Sequence, residues 1–180
     1  MKMSAAAVAV ALALLAGCGS SGGDKDANAP DTATTVTQDA SAGDTMSAAA
    51  WSKRVEAICV RSAAKASKAG RELGRRSAAA GDSKRELAYK ALAFASSLLD
   101  PWLDQIEALP KPEGREQDAS TFIASMRNVG DLLDKTSTAI KQNDETNGRK
   151  LVRQLQAKTV DARSQARALG IEKCNPTPSA

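Results

Sequence analysis

Few residues in this chain can do chemistry, and they narrow the possibilities before any element is assigned. Across 180 residues there are three cysteines, Cys18, Cys59 and Cys174, and no histidine. Without histidine the chain has no His-ligated haem or zinc, no Glu-x-x-His di-iron arrangement, and no Ser–His or Cys–His nucleophile pair. The cysteines are too far apart in sequence to form a CxxC redox or metal motif. Gly70 and Gly74 fall within a helical pattern and not after a strand, so they make no phosphate-binding loop. Asp100 and Asp104 stand one helical turn apart, a spacing that serves acid–base chemistry and equally a solvated helix face. The apolar stripes described below carry no charged residue that would aim such a pair into a cleft. The reading therefore assigns no catalytic residue, no metal and no cofactor, and expects a protein that is not an enzyme.

Residues 1–18 read MKMSAAAVAVALALLAGC. Lys2 supplies a positive start, and Ser4 to Leu15 are uncharged and largely apolar. That run is short of the ~20 residues a membrane-spanning helix needs, and has the length of a signal peptide's apolar core. At its end, Leu15-Ala16-Gly17-Cys18 resembles the lipobox of bacterial lipoproteins. The resemblance implies transfer of diacylglycerol to the Cys18 thiol and cleavage before it. Residues 1–17 are then a lipoprotein signal peptide, Cys18 is the lipidation site, and the membrane is a partner through that lipid alone. The expected address is extracytoplasmic, at the cell membrane. The alternative is ordinary secretory cleavage near Ala16 with an incidental cysteine.

Residues 18–46 follow as a linker. The stretch 19–48 is built of Gly, Ser, Asp, Thr and Ala, has no apolar period, and carries five aspartates against Lys25 alone. Such a segment buries too little surface to offset the entropy of ordering, so the expectation is a disordered tether. By the flexible-chain estimate it would span roughly 30 Å. Beyond it the balance reverses, with 23 basic against 16 acidic side chains in 49–180. A basic module on an acidic tether suits an anionic envelope component or an acidic protein partner, or is simply a solvated helical surface. Nucleic acid is not an expected partner outside the cytoplasm.

Helical spacing then appears four times. Trp51, Val55, Ile58, Ser62, Ala66, Ala69 and Leu73 share one face, and Leu87, Ala91, Phe94, Leu98, Trp102, Gln105 or Ile106, and Leu109 another. A third face runs Ala119, Phe122, Met126, Val129, Leu133, Thr136 and Ile140; the fourth runs Leu151, Leu155, Thr159, Ala162, Ala166 and Leu169. Ser83-Lys84-Arg85-Glu86 is a capping box, Pro110 and Pro112 break the pattern, Asn143-Asp144 offers a cap, and Gly170 ends the last helix. These signals place helices at about 47–78, 83–109, 115–142 and 145–169 within a module of residues 47–176, with 177–180 a disordered tail. Pro101 predicts a kink, or a break with Asp100 capping a second half. Linkers this short favour antiparallel neighbours. The fold class is all-α, an antiparallel up-down-up-down four-helix bundle with a disordered N-terminal tether. With aromatics at only 3% and alanine abundant, the core should be thin and the helices closely packed.

With Cys18 given to lipid, Cys59 and Cys174 remain. In the antiparallel topology the start of helix 1 and the end of helix 4 share a pole. There, five residues of chain past Leu169 can reach ~16 Å to Cys59. An oxidising compartment permits a disulfide between them. A redox or metal-binding pair is the alternative. Lys65, Lys68, Arg71, Arg75, Arg76, Lys84 and Arg85 gather around the turn between helices 1 and 2, where cations also suit the end of helix 1. Trp51 and Trp102 serve either core packing or a ligand cleft.

The lipobox, the polar spacer, Trp51 ahead of Ala57-Ile58-Cys59, Leu109-Pro110-Lys111-Pro112 and the closing Leu169-Gly170-Ile171-Glu172-Lys173-Cys174 make up a recognisable pattern. It is similar to that of a group of uncharacterised secreted proteins and lipoproteins from high-GC Gram-positive bacteria. The resemblance covers roughly residues 50–175 and implies an architecture without catalytic residues. The functional expectation is a membrane-anchored lipoprotein whose bundle is a non-catalytic interaction or structural module. The alternative is a small-molecule binding or sensing bundle, with a pocket near Trp51, Trp102 and Phe94. Close alanine packing argues against a roomy pocket, and so for the first.

Overall fold

In the computed structural model, which describes residues 45–174, the chain forms four helices. They are α1 (Ala48–Ala79), α2 (Lys84–Glu107), α3 (Glu116–Lys141) and α4 (Glu145–Ala168). Local chemistry explains three of the four starts. Ser47 accepts from the Ala50 N–H, and Asp144 accepts from the Asn147 N–H at 3.0 Å. Ser83 and Glu86 form the reciprocal box, Glu86 N–H to Ser83 Oγ at 3.2 Å and Ser83 N–H to Glu86 Oε2 at 2.8 Å. α3 begins without a side-chain cap; Glu116 and Asp118 place negative charge in its first turn, where the helix dipole favours it. At the far end of α4, Gly170 takes φ +74°, a left-handed conformation open to glycine at little cost.

α2 runs through Pro101 without a break. The proline sits on the exposed side, so the Ser97 carbonyl it leaves unbonded can be met by water. On the buried side Trp102, Leu103 and Ile106 hold the second half of the helix in line with Ala91, Leu92 and Ser96. Asp100 therefore caps nothing.

Alternate helix ends meet at two poles. At one, Ser52 donates to the Leu169 carbonyl at 2.5 Å, and the Arg115 guanidinium donates to the Ala168 carbonyl at 3.0 Å. At the other, Arg85 donates to Asn143 Oδ1 at 2.7 Å, joining the α1–α2 and α3–α4 turns. This is the antiparallel up-down-up-down order. The first pole also takes in Met46. Its N–H donates to the Lys111 carbonyl at 3.0 Å, its carbonyl accepts from the Glu113 N–H at 2.8 Å, and its side chain rests on the core. Sequence spacing puts Met46 in the linker; the fold packs it on the core. The rest of the tether, the signal segment, Cys18 and residues 175–180 lie outside the described residues.

The core divides in two. Near the first pole all four helices contribute, through Trp51, Val55 and Ile58 of α1, Leu103 and Ile106 of α2, Phe122 and Ile123 of α3, and Ala166 of α4, with Leu169 and Ile171 after it. Near the second pole Leu92, Val129, Leu132, Leu133, Leu151 and Leu155 pack together, all from α2, α3 and α4. α1 adds no residue there. Its buried side chains fall within its first twelve residues, apart from Ser77 at its far end. Close packing joins α1 to α2, α2 to α3 and α3 to α4, while the seam between α4 and α1 stays open. The α2–α3 contact is the tightest by construction. Gly130 leaves room for Leu99, and Ser96 Oγ donates to the Gly130 carbonyl at 3.3 Å.

Candidate functional site

The residues that face the open seam are small on α1 and larger on the helices opposite. Ser62, Ala63, Ala66 and Ser67 stand where leucine would fill the space. Leu98, Leu99 and Trp102 of α2 and Phe122, Met126, Val129 and Leu133 of α3 form the back wall. Thr159, Ala162, Arg163 and Ala166 of α4 form the opposite side, and Cys59, Lys173 and Cys174 close one end. Between them lies a cavity of about 290 Å³. It is close to the lower size limit of natural small-molecule pockets, ~300 Å³, and apolar on nearly every side.

Alanine and serine would ordinarily let α1 slide inward and close this volume. Both ends of the helix are tied, however. At the near end Cys59 and Cys174 are joined by a disulfide, with Cα atoms 5.3 Å apart. One turn earlier, Glu56 Oε1 accepts from the backbone N–H groups of Glu172 at 2.8 Å and Lys173 at 3.1 Å. Past the far end, Asp82 of the α1–α2 turn donates its N–H to the Ser77 carbonyl at 2.9 Å and its carboxylate accepts from Lys90 Nζ of α2 at 2.5 Å, while Ser77 is itself buried. α1 is thus fixed at its two ends and held off between them, which is why an alanine-rich sequence here leaves space.

The Glu56 clamp has a measurable consequence. Hydrogen bonds from the Glu172 and Lys173 amides, with a lesser Coulombic contribution from Lys173, hold its carboxyl pKa below the ordinary value of 4.5. The unfolded chain therefore takes up this proton first as the pH falls. The stabilisation is complete above the ordinary value and disappears as the pH drops through the folded one. Chemical denaturation followed between about pH 5 and pH 3 should show Glu56→Gln losing less stability over that window than the parent. Equal slopes would mean the clamp contributes nothing.

The cavity's polar atoms are sparse. Arg163 and Lys173 are the charged side chains in its lining, and no carboxylate joins them. Lys173 Nζ lies 4.0 Å from Glu56. Arg163 forms no ion pair among the described residues, and its Nε is buried without a hydrogen-bond partner, as is the Trp102 indole N–H. Trp102 both lines the cavity and packs edge-to-face on Phe122, with centroids 6.4 Å apart. Trp51 belongs to the first core cluster and Phe94 is half-buried; neither reaches the cavity.

The other sequence candidates do not converge on a reactive centre. Asp100 and Asp104, with Glu107, surround Arg127 of α3 at 3.8, 3.3 and 2.7 Å, a solvated network across the α2–α3 seam. Arg75 and Arg76 are both held by Glu72, and Arg85 by Asn143. Lys65, Lys68, Arg71 and Lys84 are exposed. Among the described residues no group of three metal-ligating side chains occurs, and no helix is long and apolar enough to cross a membrane. Arg163 is the residue sequence reading missed. It stands one place beside the α4 stripe of Leu155, Thr159, Ala162 and Ala166, and a basic residue flanking so small a stripe is the one signal by which it could be found. Comparison with family models, curated proteins and solved structures finds no match.

Proposed function

We propose that the chain is a lipid-anchored extracytoplasmic protein whose bundle binds a small apolar molecule in the cavity between α1 and the α2–α3–α4 core. The observation that carries the binding reading is the cavity itself, about 290 Å³ and apolar, kept open by ties at both ends of α1. An engineered cavity of ~150 Å³ lined by aliphatic and aromatic groups takes up benzene, so a larger, mainly apolar one is a competent host. The anchor rests on Leu15-Ala16-Gly17-Cys18, and the Cys59–Cys174 bond suits an oxidising compartment. The role is binding, without a catalytic residue.

The exposed Lys65, Lys68 and Arg71 favour a second reading, in which the same bundle contacts an anionic envelope component through α1. The two are separable. In the chain from residue 18, secreted with Cys18→Ser, decanol should raise the thermal midpoint saturably. At a hundredfold excess over its dissociation constant the gain is about 2.7 kcal/mol. Ala66→Leu, which fills the cavity, should abolish that response. No response in the parent would rule out the cavity as a binding site. In cells, Cys18→Ala should abolish incorporation of labelled fatty acid, and persisting label would remove the anchor.

A further inference from the structure

We propose that the ligand is a single-chain anionic amphiphile of about ten carbons, its acid group against the Arg163 guanidinium and its chain along Leu99, Met126 and Val129. The inference rests on the apolar-ligand reading above and names that ligand's chemistry.

Size comes first. The cavity runs from Cys59 to Ser67 along α1, eight residues or ~12 Å of helix, so it is elongated as well as apolar. Scaling from the ~150 Å³ cavity that takes benzene, about 290 Å³ accommodates roughly ten to twelve carbons. An extended chain of that length fits the shape, and a nucleotide exceeds the volume.

Charge decides the head group. The lining carries two cations and no anion, so a cationic ligand would be repelled. The charge on Lys173 is already met by Glu56, at 4.0 Å. That on Arg163 is met by nothing among the described residues, and its Nε is buried without an acceptor. A buried guanidinium N–H without an acceptor is costly, and a carboxylate matches the guanidinium fork in both charge and geometry. The Trp102 indole N–H, on a side chain only 8% exposed, is a second buried donor among the lining residues that lacks an acceptor. An uncharged alkane would fill the volume and leave the Nε–H without an acceptor, and an alcohol would accept from it but leave the charge unpaired. A carboxylate with a medium-length chain fits both the volume and the charge.

Calorimetric titration of the chain from residue 18, carrying Cys18→Ser, tests this with decanoate and decanol below their aggregation thresholds at neutral pH. The parent should bind decanoate about tenfold more tightly than decanol. Arg163→Gln should weaken decanoate about tenfold and leave decanol unchanged, the unchanged decanol showing that the variant is folded. Arg163→Lys should recover part of the preference. Ala66→Leu should remove both ligands. Equal affinity for the two probes in the parent, or an equal loss of both in Arg163→Gln, would overturn the anionic assignment while leaving apolar binding intact. Decanol binding without decanoate would overturn the anionic assignment alone, and failure of both probes to bind the parent saturably would refute the cavity reading and this proposal together.

Discussion

Replacing Cys59 and Cys174 together with serine should leave four helices and lower the stability of the bundle by about 4–5 kcal/mol, since the bond closes a loop of 115 residues. For a helical module of this size the thermal midpoint falls by roughly 15 °C. The helices persist because their apolar faces and caps do not depend on the bond. The loss should not be evenly distributed. The second core cluster draws on α2, α3 and α4 alone, whereas α1 between Val60 and Arg76 has no buried side chain. Amide exchange should therefore quicken most along that stretch of α1 and least at Leu132 and Leu155. A loss below about 1 kcal/mol would show that Glu56 and Ser52 hold the α1–α4 pole without the disulfide.

Phe122→Ala should cost about 3–5 kcal/mol. The side chain is 1% exposed and stands edge-to-face with Trp102 at an interplanar angle of 87°. Its removal takes away apolar burial, the aromatic pair and one wall of the cavity at once, and α1, tied at both ends, cannot move in to fill the space. Phe94→Ala, at a half-buried position away from the cavity, should cost about half as much or less. Urea denaturation measures both. Similar losses at the two positions would contradict the division of the core described above.

How far the fold was legible depends on where its information is local. The α3 stripe was readable residue by residue. Ala119, Phe122, Val129, Leu133 and Thr136 are all buried, and Met126 and Ile140 are partly so. The capping box at Ser83 and the left-handed Gly170 were equally plain, because each acts within a few residues. The disulfide could be reached by combining the topology with the two cysteines left over. The cavity could not. Ser62, Ala66 and Ala69 fall on the expected face of α1, but whether small residues draw a helix in or leave a void depends on what fixes its ends. Here those ties reach from Cys59 to Cys174 and from Glu56 to Glu172 and Lys173, contacts more than a hundred residues apart in sequence. Met46 was hidden for the same reason, since its partners are Lys111 and Glu113 and its own neighbourhood has no period. Pro101 marked a weak point in α2, but the buried faces on either side keep the helix continuous. Arg163 carries no periodic signal, because it lies beside an apolar stripe and not within it.

The central claim is that an apolar molecule enters the space between α1 and the other three helices. Methyl-resolved NMR of the chain from residue 18, with Cys18→Ser, tests it most directly during a decanol titration. Resonances of Leu98, Leu99, Met126, Val129 and Leu133, which line the cavity, should shift together along one saturable curve. Those of Leu103, Ile106 and Ile171, fully buried in the first core cluster, should stay in place. Shifts confined to Val60 and Val160, the exposed large apolar side chains at 52% and 63%, would mean that the probe adheres to the surface and that the cavity is not a binding site.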